Sequence, residues 1–178
     1  MYKENYYIIT GGPGVGKTSL INELGSRGYN TVSEVAREII KHQVETNGKA
    51  LPWSDRKLYS DLMLKHSIGD YLRLAESPEI FFFDRGIPDT YGYEVLLGFQ
   101  IEKNLDMAVR EYKYNRTVFI LPPWEDIYHT DTERKQDYEE AVNTYMVMRS
   151  VYTQLGYNLI EVPKLPVEER ADFVLQTR

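Results

Sequence analysis

Cysteine is absent from the 178 residues, which removes disulfides, thiolate metal ligands and a thiol nucleophile together. No apolar run nears the roughly 18 residues that a membrane span needs. The opening residues Met1-Tyr2-Lys3-Glu4-Asn5 lack the basic-then-apolar order of a secretion signal, so a soluble, cytoplasmic protein without a transmembrane segment is expected. Basic charge is also scarce: 21 Lys and Arg against 27 Asp and Glu leave a net charge of −6. A nucleic-acid partner calls for a basic face and is disfavoured, while a local basic pocket for one small anion is still allowed. The three histidines form no zinc-ligand spacing with carboxylates. Twelve Gly and eight Pro are too few for a fibrous or low-complexity chain, and no repeat or linker divides it. Residues 1–178 therefore read as one domain, 42% hydrophobic and with an excess of tyrosine, 15 in all.

Apolar positions alternate between short continuous runs and longer stripes of helical period. Residues 6–10 read as a buried strand, and 17–27 as a helix carrying Leu20, Ile21 and Leu24, with Gly28 as its C-cap. Residues 29–33 give a second strand, then a helix over 34–46 with Val35, Ile39, Ile40 and Val44. Ser54 is the expected N-cap of a long helix running toward Ala75. Residues 79–83 form an apolar run into Asp84, as in a strand covered on both faces. Short helices are expected after Pro88 and Asn104, and a fourth strand over 117–121. A long helix over 132–155, a fifth strand over 157–162 and a last helix from near Pro166 complete the pattern. Strands alternating with helices predict an α/β fold: a three-layer sandwich with five parallel strands and helices on both faces.

Gly11-Gly12-Pro13-Gly14-Val15-Gly16-Lys17-Thr18 matches G-x-x-x-x-G-K-[ST] between the first strand and the first helix. Glycine admits backbone dihedrals that a Cβ forbids, so several amides can converge on phosphate oxygens. The helix opening near Gly16 adds unpaired N–H groups and the positive end of its dipole. Lys17 is expected on the β- and γ-phosphates, Thr18 offers its hydroxyl to Mg²⁺, and Ser19 follows in the same turn. A plain Gly-rich turn before an ordinary helix is the alternative, and four constrained positions in this context make it rare.

Asp84 ends a buried strand at the edge where open parallel sheets bind ligands. It is the expected second Mg²⁺ contact, direct or through water; otherwise it caps the next turn and pairs with Arg85. The residue after it is Arg85 and not the acid that motor-type ATPases use to activate water, and no Asn-Lys-x-Asp guanine-reading string is present. A phosphotransferase with an organic acceptor is the favoured class.

Such transfer needs a group near the acceptor hydroxyl and positive charge over the moving phosphoryl. Glu34 can accept the proton or hold acceptor hydroxyls, and Arg37, one turn on, can bind an anionic group. The same two residues can equally make a helix-start ion pair. Arg85 and Asp89 flank Gly86-Ile87-Pro88 and can clamp the acceptor, or simply salt-bridge the turn. Residues 124–140 are polar and charged, and read as a lid that carries Arg134 and Lys135 onto the phosphates. Trp53, Tyr59, Tyr91, Tyr93 and Trp124 lie on segments that follow the strands at the ligand-binding edge, where one or two can stack a nucleoside- or nicotinamide-like ring. Most other tyrosines, Tyr112, Tyr114, Tyr138 and Tyr152 among them, are expected to fill helix–sheet contacts with their hydroxyls in water.

Residues 7–18, the string Ser33-Glu34-Val35-Ala36-Arg37 and the string Phe82-Phe83-Asp84-Arg85-Gly86-Ile87-Pro88-Asp89 together resemble the NadR-like AAA-type P-loop ATPases. That family is related to the ribosylnicotinamide kinase domain of NadR and, more distantly, to nucleoside and nucleotide kinases. Leu121-Pro122-Pro123-Trp124, Thr130-Asp131-x-Glu133-Arg134 and Pro166-Val167-Glu168-Glu169-Arg170 extend the resemblance over nearly the whole chain. It implies ATP and Mg²⁺ binding, the strand order 2-3-1-4-5, residues 11–18 on the triphosphate, Asp84 at the metal and Arg134 in the lid. Members often carry Arg where this chain has His129, so one lid cation is missing here.

Two functional classes follow. The first is a Mg²⁺-dependent kinase for a small nucleoside-like acceptor, with Lys17, Asp84, Glu34 and Arg134 as the catalytic set. The second is an NTP-binding regulatory module that hydrolyses ATP or GTP slowly and acts through a partner or a lipid.

Overall fold

Alternation along the strands decides which side chain enters which layer. The computed structural model describes residues 2–127 and 138–178. In β1 (Tyr6–Gly11), Tyr6 and Ile8 enter one core, and Tyr7 and Ile9 the other. The three phenylalanines of β3 (Phe81–Asp84) repeat the pattern: Phe81 and Phe83 join Tyr6, while Phe82 joins Tyr7. Both faces are covered, so these strands are apolar at almost every position. Full burial of a side chain such as Phe82 contributes about 2–3 kcal/mol.

With β2 (Asn30–Val32), β4 (Thr117–Leu121) and β5 (Asn158–Glu161) they form one parallel sheet in the order β2-β3-β1-β4-β5. This is the order that the family resemblance implies. The register pairs Ile9 with Asp84 and Gly11 with Leu121. The carboxyl ends of β3, β1 and β4 therefore lie side by side, which brings Asp84 next to the glycine loop.

Helices α1 (Lys17–Ser26) and α7 (Val167–Thr177) cover the Tyr7 face, burying Leu20, Leu24, Ala171 and Val174. Helices α3 (Arg56–Arg73), α4 (Ile87–Leu96), α5 (Lys103–Glu111) and α6 (Tyr138–Gln154) cover the other, with Leu64, Ile87, Leu105 and Met148 in a common core. Helix α2 (Val35–Glu45) leans on α3 through Ile39, Tyr59 and Met63, and buries only Ile39 of its own residues. None of the described helices is long and apolar enough to cross a membrane.

Three local expectations are corrected. The N-cap of α3 is Asp55, not Ser54: its carboxylate accepts the Leu58 N–H at 2.9 Å, three residues ahead, which is the reach of a capping side chain. Strand β2 is shorter than the expected 29–33, because the Tyr29 N–H turns back to Leu24 O at 3.2 Å and closes α1 beyond Gly28. The hydroxyls of Tyr114 and Tyr152 are not in water. Both residues are fully buried, Tyr114 edge-on to Tyr71, which is itself edge-on to Tyr6, and Tyr152 edge-on to Tyr157. Of the predicted lid, residues 128–137, including His129, Arg134 and Lys135, lie outside the described residues.

Candidate active site

The glycine loop leaves β1 and enters α1 through Gly16, whose left-handed backbone (φ 84°) forms the N-cap. A Cβ at Gly16 would come within 2.8 Å of Arg170 Nη1. No side chain among the described residues caps this helix end, so its first amides are available to an anion. Lys17 lies beneath the loop, 7% exposed, and donates to Gly12 O at 2.7 Å. Burial, helped by nearby Arg85, brings the Lys17 ammonium down to about 8, with Asp84, Glu34 and Asp89 opposing. Thr18 and Ser19 are exposed, and both line the same cleft as Asp84.

Asp84 sits at the tip of β3, 5% exposed, and its Oδ1 has no hydrogen-bond partner among the described residues. Burial raises its carboxyl above the usual range; Glu34 and Asp89 add to the rise, while Lys17 and Arg85 oppose it. An orphaned buried carboxylate oxygen is costly unless a cation or donor completes it. Asp84 and the Thr18 hydroxyl supply hard oxygen donors of the kind Mg²⁺ takes, with phosphate oxygens and water filling the remaining positions. The residues present thus fit a Mg²⁺–nucleotide complex.

Arg85 is the hub of the site. Its backbone is left-handed, φ 73°, a conformation that costs an L-residue about 1–2 kcal/mol. Its guanidinium donates to Glu34 Oε1 at 2.8 Å, Gly11 O at 3.0 Å and Asp89 Oδ1 at 3.3 Å, which holds the strained residue in place. Burial acts to discharge Arg85, but Glu34, Asp89 and Asp84 outweigh it and hold the group more firmly charged than a free arginine. Burial likewise acts to raise Glu34, yet Arg85 and Lys17 bring it down to about 2. Glu34 also accepts from Arg37 Nε at 3.1 Å, so the ion pair read at this helix start is present beside the Arg85 contact.

Asp89 differs from Asp84. Its two oxygens accept four hydrogen bonds: Thr10 Oγ1 at 2.5 Å, Arg85 Nη1 at 3.3 Å, the Gly86 N–H at 2.8 Å and Tyr152 OH at 2.6 Å. It lies at the floor of the cleft, 5% exposed, and anchors Arg85 and the start of α4. Gly86 is needed at this anchor because a Cβ there would strike Ile8 Cδ1 at 2.6 Å.

A cleft of about 1550 Å³ runs from the loop past Glu34 and Asp84 and out between α2 and α3. Of the aromatics expected to stack a ring, Trp53, Tyr59 and Tyr93 line this cleft, with Tyr59 and Tyr93 edge-on at 5.7 Å. Tyr91 instead packs against the main core. Trp124 lies beside Arg170, 5.8 Å from guanidinium carbon to ring centre.

Thr10 and Tyr152 are site residues with no sequence-based expectation of a role there, and Arg170 is expected only within residues 163–170, a segment offered for contacts to the nucleotide base. Arg170 is 6% exposed, donates to Val15 O at 3.4 Å and has no partner at Nε among the described residues. Burial lowers its guanidinium below the usual arginine value, with Glu168 partly opposing. Its signal was a charge on the stripe that α7 buries, beside Ala171 and Val174. Thr10 is the one aliphatic hydroxyl in β1; nothing local distinguishes Tyr152 from a packing residue.

Comparison with known structures reproduces this architecture. A crystal structure of NadR protein in complex with NR aligns at TM-score 0.73 and 16% identity, covering 97% of this chain and 49% of that one, so the chain spans about half the length of that protein. Deoxyadenosine kinase from M. mycoides, with products dcmp and dcdp bound, aligns at TM-score 0.68 and 17% identity, covering 96% and 97%. Shikimate kinase from Acinetobacter baumannii, in complex with shikimate, aligns at 0.54 and 15%, covering 97% and 91%. At these identities the likeness is one of fold, the P-loop fold. No curated protein matches the sequence. The family model described as AAA domain matches residues 6–170, nearly the whole chain and every site residue described above, and the chain belongs to that family.

Proposed function

We propose that the protein is a Mg²⁺-dependent phosphotransferase that moves the γ-phosphoryl group of ATP to a hydroxyl of a small nucleoside-like acceptor. The observation that carries this reading is the convergence of Lys17, orphaned Asp84 and the Glu34–Arg85 pair on the inner end of a cleft far larger than a triphosphate needs. The fold shared with a deoxyadenosine kinase, a shikimate kinase and a NadR protein that binds NR supports it.

In this reading Gly11, Gly12, Pro13, Gly14, Val15, Gly16, Lys17, Thr18 and Ser19 hold the triphosphate. Thr18 and Asp84 hold Mg²⁺, which offsets phosphate charge when bound. Lys17 exchanges its bond to Gly12 O for phosphate oxygens. Glu34, ionised at neutral pH, accepts a hydrogen bond from the acceptor hydroxyl and orients it for attack. So acidic a carboxylate is a weak base, which suffices where the transition state is loose and the proton leaves late. Arg85 keeps Glu34 in position and adds positive charge beside the reacting oxygens. Arg37 reaches toward the acceptor, and Asp89, expected from sequence to touch the acceptor, serves as a positioning residue for Arg85. Arg134 is assigned to the lid as a second cation over the phosphoryl group.

The test is ADP release by the wild-type chain across a panel of nucleosides and small alcohols. Strong acceleration by one compound supports a kinase. Slow turnover that no acceptor changes, with binding of a protein or lipid that depends on the nucleotide, would favour the regulatory module instead.

A further inference from the structure

Farther out in the cleft the lining changes character. Helix α2 turns Arg37, Ile40, Lys41 and Val44 toward the space, at positions i, i+3, i+4 and i+7 of one stripe. Such a stripe is normally buried, yet Val44 is 56% exposed and Ile39 is the one buried residue of the helix. Trp53, 66% exposed, and Arg56 also line this outer part of the cleft.

The cations here have donors to spare. Arg37 commits its Nε to Glu34 at 3.1 Å, and Arg56 commits its Nε to Pro52 O at 2.9 Å. Lys41 makes no hydrogen bond or ion pair among the described residues. Of the acids that line the outer cleft, Asp70 is held by Arg73 at 2.7 Å, leaving Glu45 at the end of α2. Arg37 is paired with Glu34, so Lys41 and Arg56 stand against Glu45 alone and leave one surplus positive charge, with donors unused on all three cations, in a protein of net charge −6.

We infer that the acceptor carries a phosphate monoester at the end remote from the hydroxyl it presents to Glu34, and that Lys41, Arg56 and the free donors of Arg37 bind that phosphate beside Trp53. A phosphate monoester offers three strong acceptor oxygens and a charge of about −1.5 to −2 at neutral pH, enough to engage the unused donors of three cations, whereas a carboxylate has two oxygens. This deepens the phosphotransferase reading and rests on it. The transfer stays the same: the acceptor oxygen bonds to Pγ, the bond from Pγ to the β–γ bridging oxygen breaks, ADP leaves, and the hydroxyl proton passes to Glu34 and on to water.

The test is titration calorimetry on the full chain with Mg²⁺ and a saturating non-hydrolysable ATP analogue. The probes are adenosine, cytidine and nicotinamide riboside, each against its 5′-monophosphate, with inorganic phosphate as a further arm. At least one monophosphate is expected to bind tenfold or more tighter than its nucleoside, and Lys41→Glu to shrink that ratio below threefold while the analogue still binds. The inference is overturned if each neutral probe binds as tightly as its monophosphate, or if no monophosphate binds. It is also overturned if inorganic phosphate alone matches the best monophosphate. Failure of the ATP analogue itself to bind would instead remove the phosphotransferase reading, and this inference with it.

Discussion

The two ends of the cleft are finished to different degrees. At the inner end Asp89 accepts four hydrogen bonds and Arg85 is pinned at three points in a backbone conformation it would not otherwise keep. At the outer end Trp53 and Val44 face water and Lys41 has no partner among the described residues. Rigidity is concentrated where reacting atoms must be placed within fractions of an ångström, and openness where a ligand brings the missing partners. Within the inner end the contrast recurs on a smaller scale. Asp84 and Asp89 stand five positions apart, yet one has an orphaned oxygen and the other has none.

The largest expected effect breaks the inner end at its cation. Lys17→Ala should lower phosphoryl transfer by about 100- to 1000-fold, the scale of losing one donor to developing charge. The circular-dichroism spectrum should be unchanged. Wild-type turnover in that variant would detach the loop from the chemistry.

Asp84→Asn and Asp89→Asn sharpen the contrast between the two carboxylates. Removing the charge at Asp84 should raise the Mg²⁺ concentration needed for half-maximal activity by about tenfold or more. It should leave the melting temperature unchanged or higher, because a buried charge with an unfilled acceptor is removed. Asp89→Asn should do the reverse, costing about 2–3 kcal/mol of stability through lost charge-assisted bonds while the Mg²⁺ titration stays in place. If both variants move both readouts alike, the division between a ligand-facing and a structural carboxylate fails.

A pH titration reads the same inner end with a smaller effect. The unliganded Lys17 has a value near 8, and bound polyphosphate favours its charged form. Nucleotide affinity should therefore be greatest below pH 8 and fall as pH rises through it, by at most about tenfold per unit. Stability of the unliganded chain takes the opposite slope. Unfolding returns Lys17 to its ordinary value of 10.5, so between about 8 and 10.5 the unfolded state binds more protons and this group's contribution to stability rises with pH. Thermal melts of Lys17→Met against wild type should show that component disappear, and its persistence would place the titrating group elsewhere.

Legibility in the sequence followed distance along the chain. The glycine loop compresses its chemistry into eight consecutive residues, and the phenylalanine run announces a strand covered on both faces, so both were readable. The strand order came from the family resemblance and was met by the sheet. The salt-bridged turn offered for Arg85 and Asp89 is present, but the further partners of Asp89, Thr10 and Tyr152, lie 79 and 63 residues away, and periodicity says nothing about which hydroxyl meets which carboxylate. Arg170 lies 155 residues from Val15, the loop residue it touches. The open outer stripe of α2 was hidden for the opposite reason: Val35, Ile39, Ile40 and Val44 share one helical stripe, and only the fold shows that Val44 is exposed and that Ile40, besides packing against the α2–α3 core, lines a cleft.

The smallest expected effect tests whether the inner end is a hydrogen-bonded network or merely a dense core. Tyr152 and Tyr114 are both fully buried, and burial raises both phenols well above their ordinary range. Their hydroxyls differ in what they reach. Tyr152 donates to Asp89 Oδ2 at 2.6 Å, whereas Tyr114 accepts the Ile87 N–H at 3.4 Å, near the limit of a useful bond. Replacing either by Phe keeps the ring contacts, so the hydroxyl bond alone is removed. Tyr152→Phe should cost about 1 kcal/mol, a fall of roughly 2–4 °C in Tm for a chain of this length, and Tyr114→Phe measurably less. Tyr152→Phe should also lower kcat with little change in the KM for ATP, since it loosens Asp89, and through it Arg85, without touching the loop. Equal losses from the two variants, with kcat unmoved in both, would mean that packing alone holds Arg85 and that the bonds converging on Asp89 are incidental to the chemistry.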